Sequence, residues 1–205
     1  MLDKLSCKIT RYLIAQDVVA QANYAYYCYG FELILSSAFT SVLILIFSLL
    51  LHQLPISLCF GVSFFLLRAY SGGYHCKTFG RCVCTSVGIY FAMLAAVYLL
   101  DQVHWLFFFQ AAPLLLIPFL WRRAPLANPA DPPSPQQARR CKRRSRQISA
   151  CCGALLVLNL FVFHTVELAS IAFSIFATVI MMVLEEQNYE KAASRPSGPS
   201  GQKQR

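Results

Sequence analysis

Charge is what this chain has least of. Only 13% of its 205 residues are Asp, Glu, Lys or Arg, against 57% hydrophobic. A soluble domain of this size needs about a quarter of its residues charged to cover its surface, so the shortage excludes one. The apolar residues instead fall into blocks of roughly 17 to 22, the length that spans a bilayer core, and mean hydropathy is +0.52. No cleavable signal peptide is expected, because MLDKLSCKITRYLIAQDVV is too polar for an uninterrupted apolar region and has no obvious cleavage site. The nine cysteines, at 7, 28, 59, 76, 82, 84, 141, 151 and 152, contain no CxxC pair. His75 with Cys76, Cys82 and Cys84 is a poor ligand set for zinc, and neither a metal nor another cofactor is expected.

Base is absent from half of the connections. Hydropathy places six spans at about 31–52, 54–69, 84–100, 103–121, 148–163 and 168–184. The connections LHQLP, DQVH and HTVE carry no Lys or Arg. All 18 lie in the N-terminal segment, the 68–84 stretch, the 122–147 loop and the C-terminal tail. The positive-inside rule puts those four segments, and so both termini, in the cytoplasm of a multi-pass cell-membrane protein. The net charge of +9 is therefore read as membrane topology, and no nucleic-acid partner is expected. The fold expected is an all-α polytopic membrane protein with about six transmembrane helices and an N-terminal amphipathic interfacial helix. It divides into an interfacial segment (1–30), a six-span domain (31–184) and a disordered tail (185–205).

In the N-terminal segment Leu2, Leu5, Ile9, Tyr12 and Leu13 recur at helical spacing, with Lys4, Lys8 and Arg11 on the other side. Such a helix rests on anionic lipid headgroups, either as an anchor or as a docking surface for a membrane-bound partner. The tyrosines of QANYAYYCYG suit an interfacial aromatic belt. In the 122–147 loop, five prolines precede or accompany eight basic residues and one acid. Its proline half is expected to lack regular structure, and its basic half to lie along lipid headgroups or to bind an acidic peptide. All cysteines fall in spans or on the cytoplasmic side, so disulfides are not expected. Cys59, Cys151 and Cys152 read as small apolar residues within helices.

The stretch RAYSGGYHCKTFGRCVC, residues 68–84, interrupts two apolar runs with two adjacent glycines, a histidine and three cysteines. His52, His104 and His164 lie at the outer ends of spans, which leaves His75 as the one cytoplasmic histidine. An imidazole titrating near neutrality can take a proton from a thiol and return it to a leaving group, making the thiol an acyl-transfer nucleophile. Cys76 is adjacent to His75, and neighbouring side chains point apart. Cys82 lies seven residues on, about 10 Å along a continuous helix, so a chain reversal is needed, and Gly72, Gly73 and Gly80 can supply one. Position just before the third span, at a helix N-terminus and beside Arg81, favours a Cys82 thiolate. Cys84 lies inside the span. On these grounds the order is Cys82, then Cys84, then Cys76.

The pattern Arg68-x4-Gly73-x-His75-x6-Cys82 between two spans of a six-span chain of this length closely resembles the AgrB family, accessory gene regulator B. The likeness extends over nearly the whole chain, from the basic amphipathic N-terminus through the basic middle loop to the short tail. Extra cysteines at 76 and 84 depart from the motif. The family's members are membrane endopeptidases of Gram-positive bacteria that process an AgrD-type precursor into a quorum-sensing autoinducing peptide. The resemblance implies Cys82 as nucleophile, His75 as general base and acid, and Gly73 and Arg68 as supports. It also implies an AgrD-type amphipathic precursor as partner, cyclisation to a thiolactone or lactone, and a homodimer. Asp17 and Ser86 are the candidates for orienting His75. The competing class is a non-catalytic transporter or export scaffold. Spans almost without ionisable residues near their middles speak against it.

Overall fold

The computed structural model describes residues 2–72, 79–126 and 134–193, and the described chain is helical almost throughout. Eight α-helices follow in order: α1 (Leu2–Ala15), α2 (Tyr24–Leu50), α3 (Leu54–Ser71), α4 (Phe79–Gln102), α5 (Leu106–Ala111), α6 (Ile117–Arg123), α7 (Pro135–Leu158) and α8 (Val166–Ala193). Among the described residues six segments are long and apolar enough to cross a bilayer: Gln21–Leu50, Leu54–Ser71, Gly80–Gln102, Leu106–Arg123, Pro135–Phe163 and Val166–Lys191. The expected all-α architecture with six spans and an amphipathic first helix is what the chain adopts.

Several boundaries differ from the expected ones. The belt of tyrosines is already helical, because α2 begins at Tyr24 rather than near residue 31. The basic half of the 122–147 loop is not a loop. It forms the first turns of α7, started by a capping box in which Ser134 Oγ accepts from Gln137 N–H while Gln137 Oε1 accepts from Ser134 N–H, with Pro135 in the first turn. Residues 127–133 of that loop lie outside the described residues. The tail assignment also shortens, since α8 continues through Glu185 to Ala193; the rest of the tail, 194–205, is outside the described residues.

Helices pack into two compact units, with the division falling inside α3 between Cys59 and Phe60. The first unit holds α1, α2, the opening turns of α3, and α4. Tyr90 of α4 is wholly buried there, 2.9 Å from Ser57 Oγ. Ser57 spends its own hydrogen on the carbonyl of Gln53, at 2.7 Å, so the Tyr90 hydroxyl is the donor of that pair. Phe47 meets Phe91 edge-on at 5.3 Å. α1 lies against α2 and is tied to it by a disulfide between Cys7 and Cys28, with a Cα–Cα separation of 5.0 Å. This corrects the expectation of no disulfides, which rested on compartment alone and not on which thiols the fold brings together.

The second unit holds the rest of α3 with α5 to α8. Its fourth span is broken: Pro113 and Pro118 lack the N–H that would continue an α-helix, and a 3₁₀ turn, Ala112–Leu116, separates α5 from α6. α8 is the most buried span, and its contact face mixes hydroxyls and alanines with Ile171, Ile175, Met181 and Met182. Ser170, Ser174 and Thr178 are buried, and each returns its hydrogen to a carbonyl of its own helix. α7 ends in a π-helical turn, Asn159–Phe163, where buried Asn159 gathers a network. Its Nδ2 donates to Gln110 Oε1 at 2.7 Å and to the Thr165 carbonyl at 2.9 Å, while its Oδ1 accepts from Thr165 N–H and Oγ1. Asn159→Ala leaves these partners unpaired where water is scarce, and a loss of about 1–3 kcal/mol is expected. The readout is the thermal midpoint in detergent, and an unchanged midpoint rejects the network's role.

Three of the four histidines have a structural explanation. His52, His104 and His164 follow helical segments and take left-handed φ values of 54°, 56° and 52°. Their N–H groups close the preceding turns onto Leu49, Asp101 and Asn159 carbonyls. Histidine tolerates this conformation better than most residues, at a strain that glycine avoids. Glycine at any of the three is expected to change stability by no more than about 1 kcal/mol and to leave activity intact. A processing assay beside a melting curve checks both.

Candidate active site

The residues expected to form the site come from the end of α3, the connection after it, and the start of α4. Gly73, His75 and Cys76 lie outside the described residues. Arg68 belongs to the second unit and Cys82 to the first. The structure therefore does not itself bring the four expected residues together, and it shows the local setting of two.

Cys82 is not ahead of the third span, as expected, but in the first turn of α4, which begins at Phe79. The thiol sits partly buried in that turn. Cys84 is exposed. Two residues along a helix turn the chain by about 200°, so the two thiols leave opposite faces and cannot serve one site. Ser86, one turn after Cys82 and half-buried, shares its face. Asp17 follows α1 at a left-handed φ of 56° and is exposed. Gly80 is helical and has open space around the position of a Cβ, so among the described residues it is not where the chain reverses.

α3 ends at Ser71, and Gly72 leaves the helix with a φ of +74°. Leu126 N–H donates to the Ser71 carbonyl at 2.9 Å, and a Cβ on Gly72 would stand 2.9 Å from the Leu126 carbonyl oxygen. Ser71 Oγ is 2.9 Å from Ser145 Oγ of α7, and Trp121 Nε1 donates to Ser149 Oγ one turn further along. The end of α3, the strand of chain after α6, and α7 are thus joined by polar contacts just before Gly73. The glycine pair was legible in the sequence; its partner Leu126, 54 positions on, had no signal there.

Arg68 lies in the last turn of α3, half-buried, with its guanidinium over the Phe64 ring at 6.0 Å and donating to Met181 Sδ of α8. Its stem packs within the unit and its head is held in place, which is more than snorkelling at a span end. At the end of α6, Arg123 pairs with Glu186 of α8. Among the described residues no group of three or more His, Cys, Asp or Glu is placed to hold a metal.

A six-span helical membrane protein with a thiol at the head of its third span is the class these features define. The family described as accessory gene regulator B, AgrB, matches residues 6–184, and the chain belongs to it. No curated protein and no solved structure matches the chain. Membership gives the protein a role in an accessory gene regulator system of quorum sensing, in a family known for peptide processing and linked to AgrD-type precursors.

Proposed function

We propose that the protein is a membrane cysteine endopeptidase that cleaves an AgrD-type precursor through a Cys82 thioester and promotes its cyclisation. The observation that carries this reading is the placement of Cys82 in the first turn of α4, immediately after the connection bearing His75, in a chain of the AgrB family. His75 takes the Cys82 proton as sulfur attacks a backbone carbonyl carbon near the precursor's C-terminal end. It then delivers that proton to the leaving amine as the C–N bond breaks. An upstream Cys thiol or Ser hydroxyl of the precursor next attacks the thioester carbonyl. The bond to Cys82 breaks, its proton is restored, and a thiolactone or lactone ring is released. A site at the membrane edge limits the competing attack by water. Gly73 and Arg68 support the geometry, and Arg68 holds the end of α3.

On the positive-inside argument the site faces the cytoplasm. The exposed Arg139, Arg140, Lys142, Arg143, Arg144 and Arg146 of α7 would meet anionic headgroups there, and the precursor would share that leaflet with α1. Confinement of both peptides to one surface raises their effective concentration, so modest contacts suffice. The reading is tested by co-expressing a precursor with wild-type protein and with Cys82→Ala at matched protein levels, following the cleaved and cyclised products by mass spectrometry. Equal product from both sinks it.

A further inference from the structure

The bond between Cys7 and Cys28 joins α1 to α2 across a sequence separation of 21 residues. What it joins is unusual in composition. Among the described side chains of α1, Ser6 and Thr10 are fully covered, with Thr10 Oγ1 donating to the Ser6 carbonyl at 2.9 Å and Ser6 Oγ 3.8 Å from Cys28 Sγ. Small hydroxyl side chains at these positions let α1 come close to α2, and Cys7 lies beside them in that contact. The stripe that could have held it strongly is left outside: Leu5 is 44% and Tyr12 66% exposed, and Ile9 is only half-buried. The covalent link therefore fixes α1 in the register that leaves those side chains outside.

We propose that Cys7 and Cys28 form a reversible thiol–disulfide site that sets whether α1 is held on α2 with its Leu5–Ile9–Tyr12 stripe turned outward. The site takes a dithiol reductant, either a small dithiol or a protein one. One thiolate of the reductant attacks a sulfur of the Cys7–Cys28 bond, giving a mixed disulfide and a freed thiolate. The second thiolate resolves it, so two electrons and two protons pass to Cys7 and Cys28 and the reductant leaves as its own disulfide. Both sulfurs belong to half-buried residues within reach of such a molecule. A cytoplasmic position, as the charge pattern implies, is where a disulfide is transient and redox-sensing rather than permanent. The inference does not depend on the peptidase reading.

The test uses the full chain in vesicles containing phosphatidylglycerol, poised at a series of reduced-to-oxidised dithiothreitol ratios. Free thiols are alkylated, the remainder reduced and alkylated with a heavy reagent, and each cysteine is read by mass spectrometry. Cys7 and Cys28 are expected to change together with one reversible midpoint, while Cys82 and Cys84 stay alkylatable throughout. Trypsin cleavage after Lys8 and Arg11 is expected to accelerate on reduction, up to the roughly hundred-fold that closing such a loop is worth. A Cys7→Ser/Cys28→Ser variant should cleave at the fast rate at every ratio, with unchanged Cys82 alkylation reporting intact folding. Both thiols remaining alkylatable under oxidising conditions overturns the proposal. So does a bond that yields only after denaturation, or a cleavage rate indifferent to the state of the pair.

Discussion

Alanine at Cys82 is expected to lower precursor cleavage by a factor of 10³ or more, and His75→Ala by a similar factor, with the pair of changes no worse than either alone. Residues that act as one unit behave this way, because removing either member already removes the covalent route. The first turn of α4 makes the test sharp. Cys82 and Cys84 leave that helix on opposite faces, one partly buried and one exposed, so Cys84→Ala is expected to retain at least half of wild-type activity. Cys76→Ala is expected to do the same, since Cys76 directly follows His75 in the chain. Activity that survives Cys82→Ala but not Cys84→Ala moves the nucleophile to the exposed face of α4 that carries Cys84. Activity that survives His75→Ala removes the dyad. His52→Gly, His104→Gly and His164→Gly provide the matched controls, because those three side chains belong to left-handed helix ends.

The second large effect is expected at Gly72. A methyl group there meets the backbone oxygen of Leu126 at 2.9 Å, and a backbone atom cannot swing aside as a side-chain tip can. The left-handed φ of +74° adds strain of about 1–2 kcal/mol for any L residue. Gly72→Ala is thus expected to cost about 2–3 kcal/mol locally and to reduce processing at least tenfold, through kcat more than KM, because the joint opens the connection that bears His75. Gly80→Ala is the counterpart. Gly80 is helical with open space around it, so alanine there is expected to be neutral or to stabilise by about 0.5–1 kcal/mol. Equal effects at the two glycines would falsify the idea that the Gly72–Leu126 joint positions anything.

Membrane class and number of spans were legible in the sequence because bilayer thickness and apolar run length are tied by simple geometry. Helix ends were not. Hydropathy stops where tyrosines and arginines begin, yet α2 continues back through Tyr24 and α7 through Arg139, since interfacial residues are as helical as buried ones. The α7 start did carry a local signature, Ser134-Pro135-Gln136-Gln137, that the proline count of the loop concealed. The same shift carries Cys82 from a connection into a helix, which changes its neighbours from a flexible backbone to a fixed face. Cys7 and Cys28 escaped because compartment says how long a disulfide lasts, not which sulfurs the fold brings together.

Serine and threonine along α8 also bear on how the protein is made. Three of its hydroxyls bond to carbonyls of the same helix, so these groups need no partner from another span on entering lipid. Asn159 does need one, because its Nδ2 donates to Gln110 of an earlier span. Gln110 is translated 49 residues earlier. Synthesis from the N-terminus therefore has the acceptor waiting in the bilayer when Asn159 leaves the ribosome, and the order of the genetic message doubles as the order of assembly.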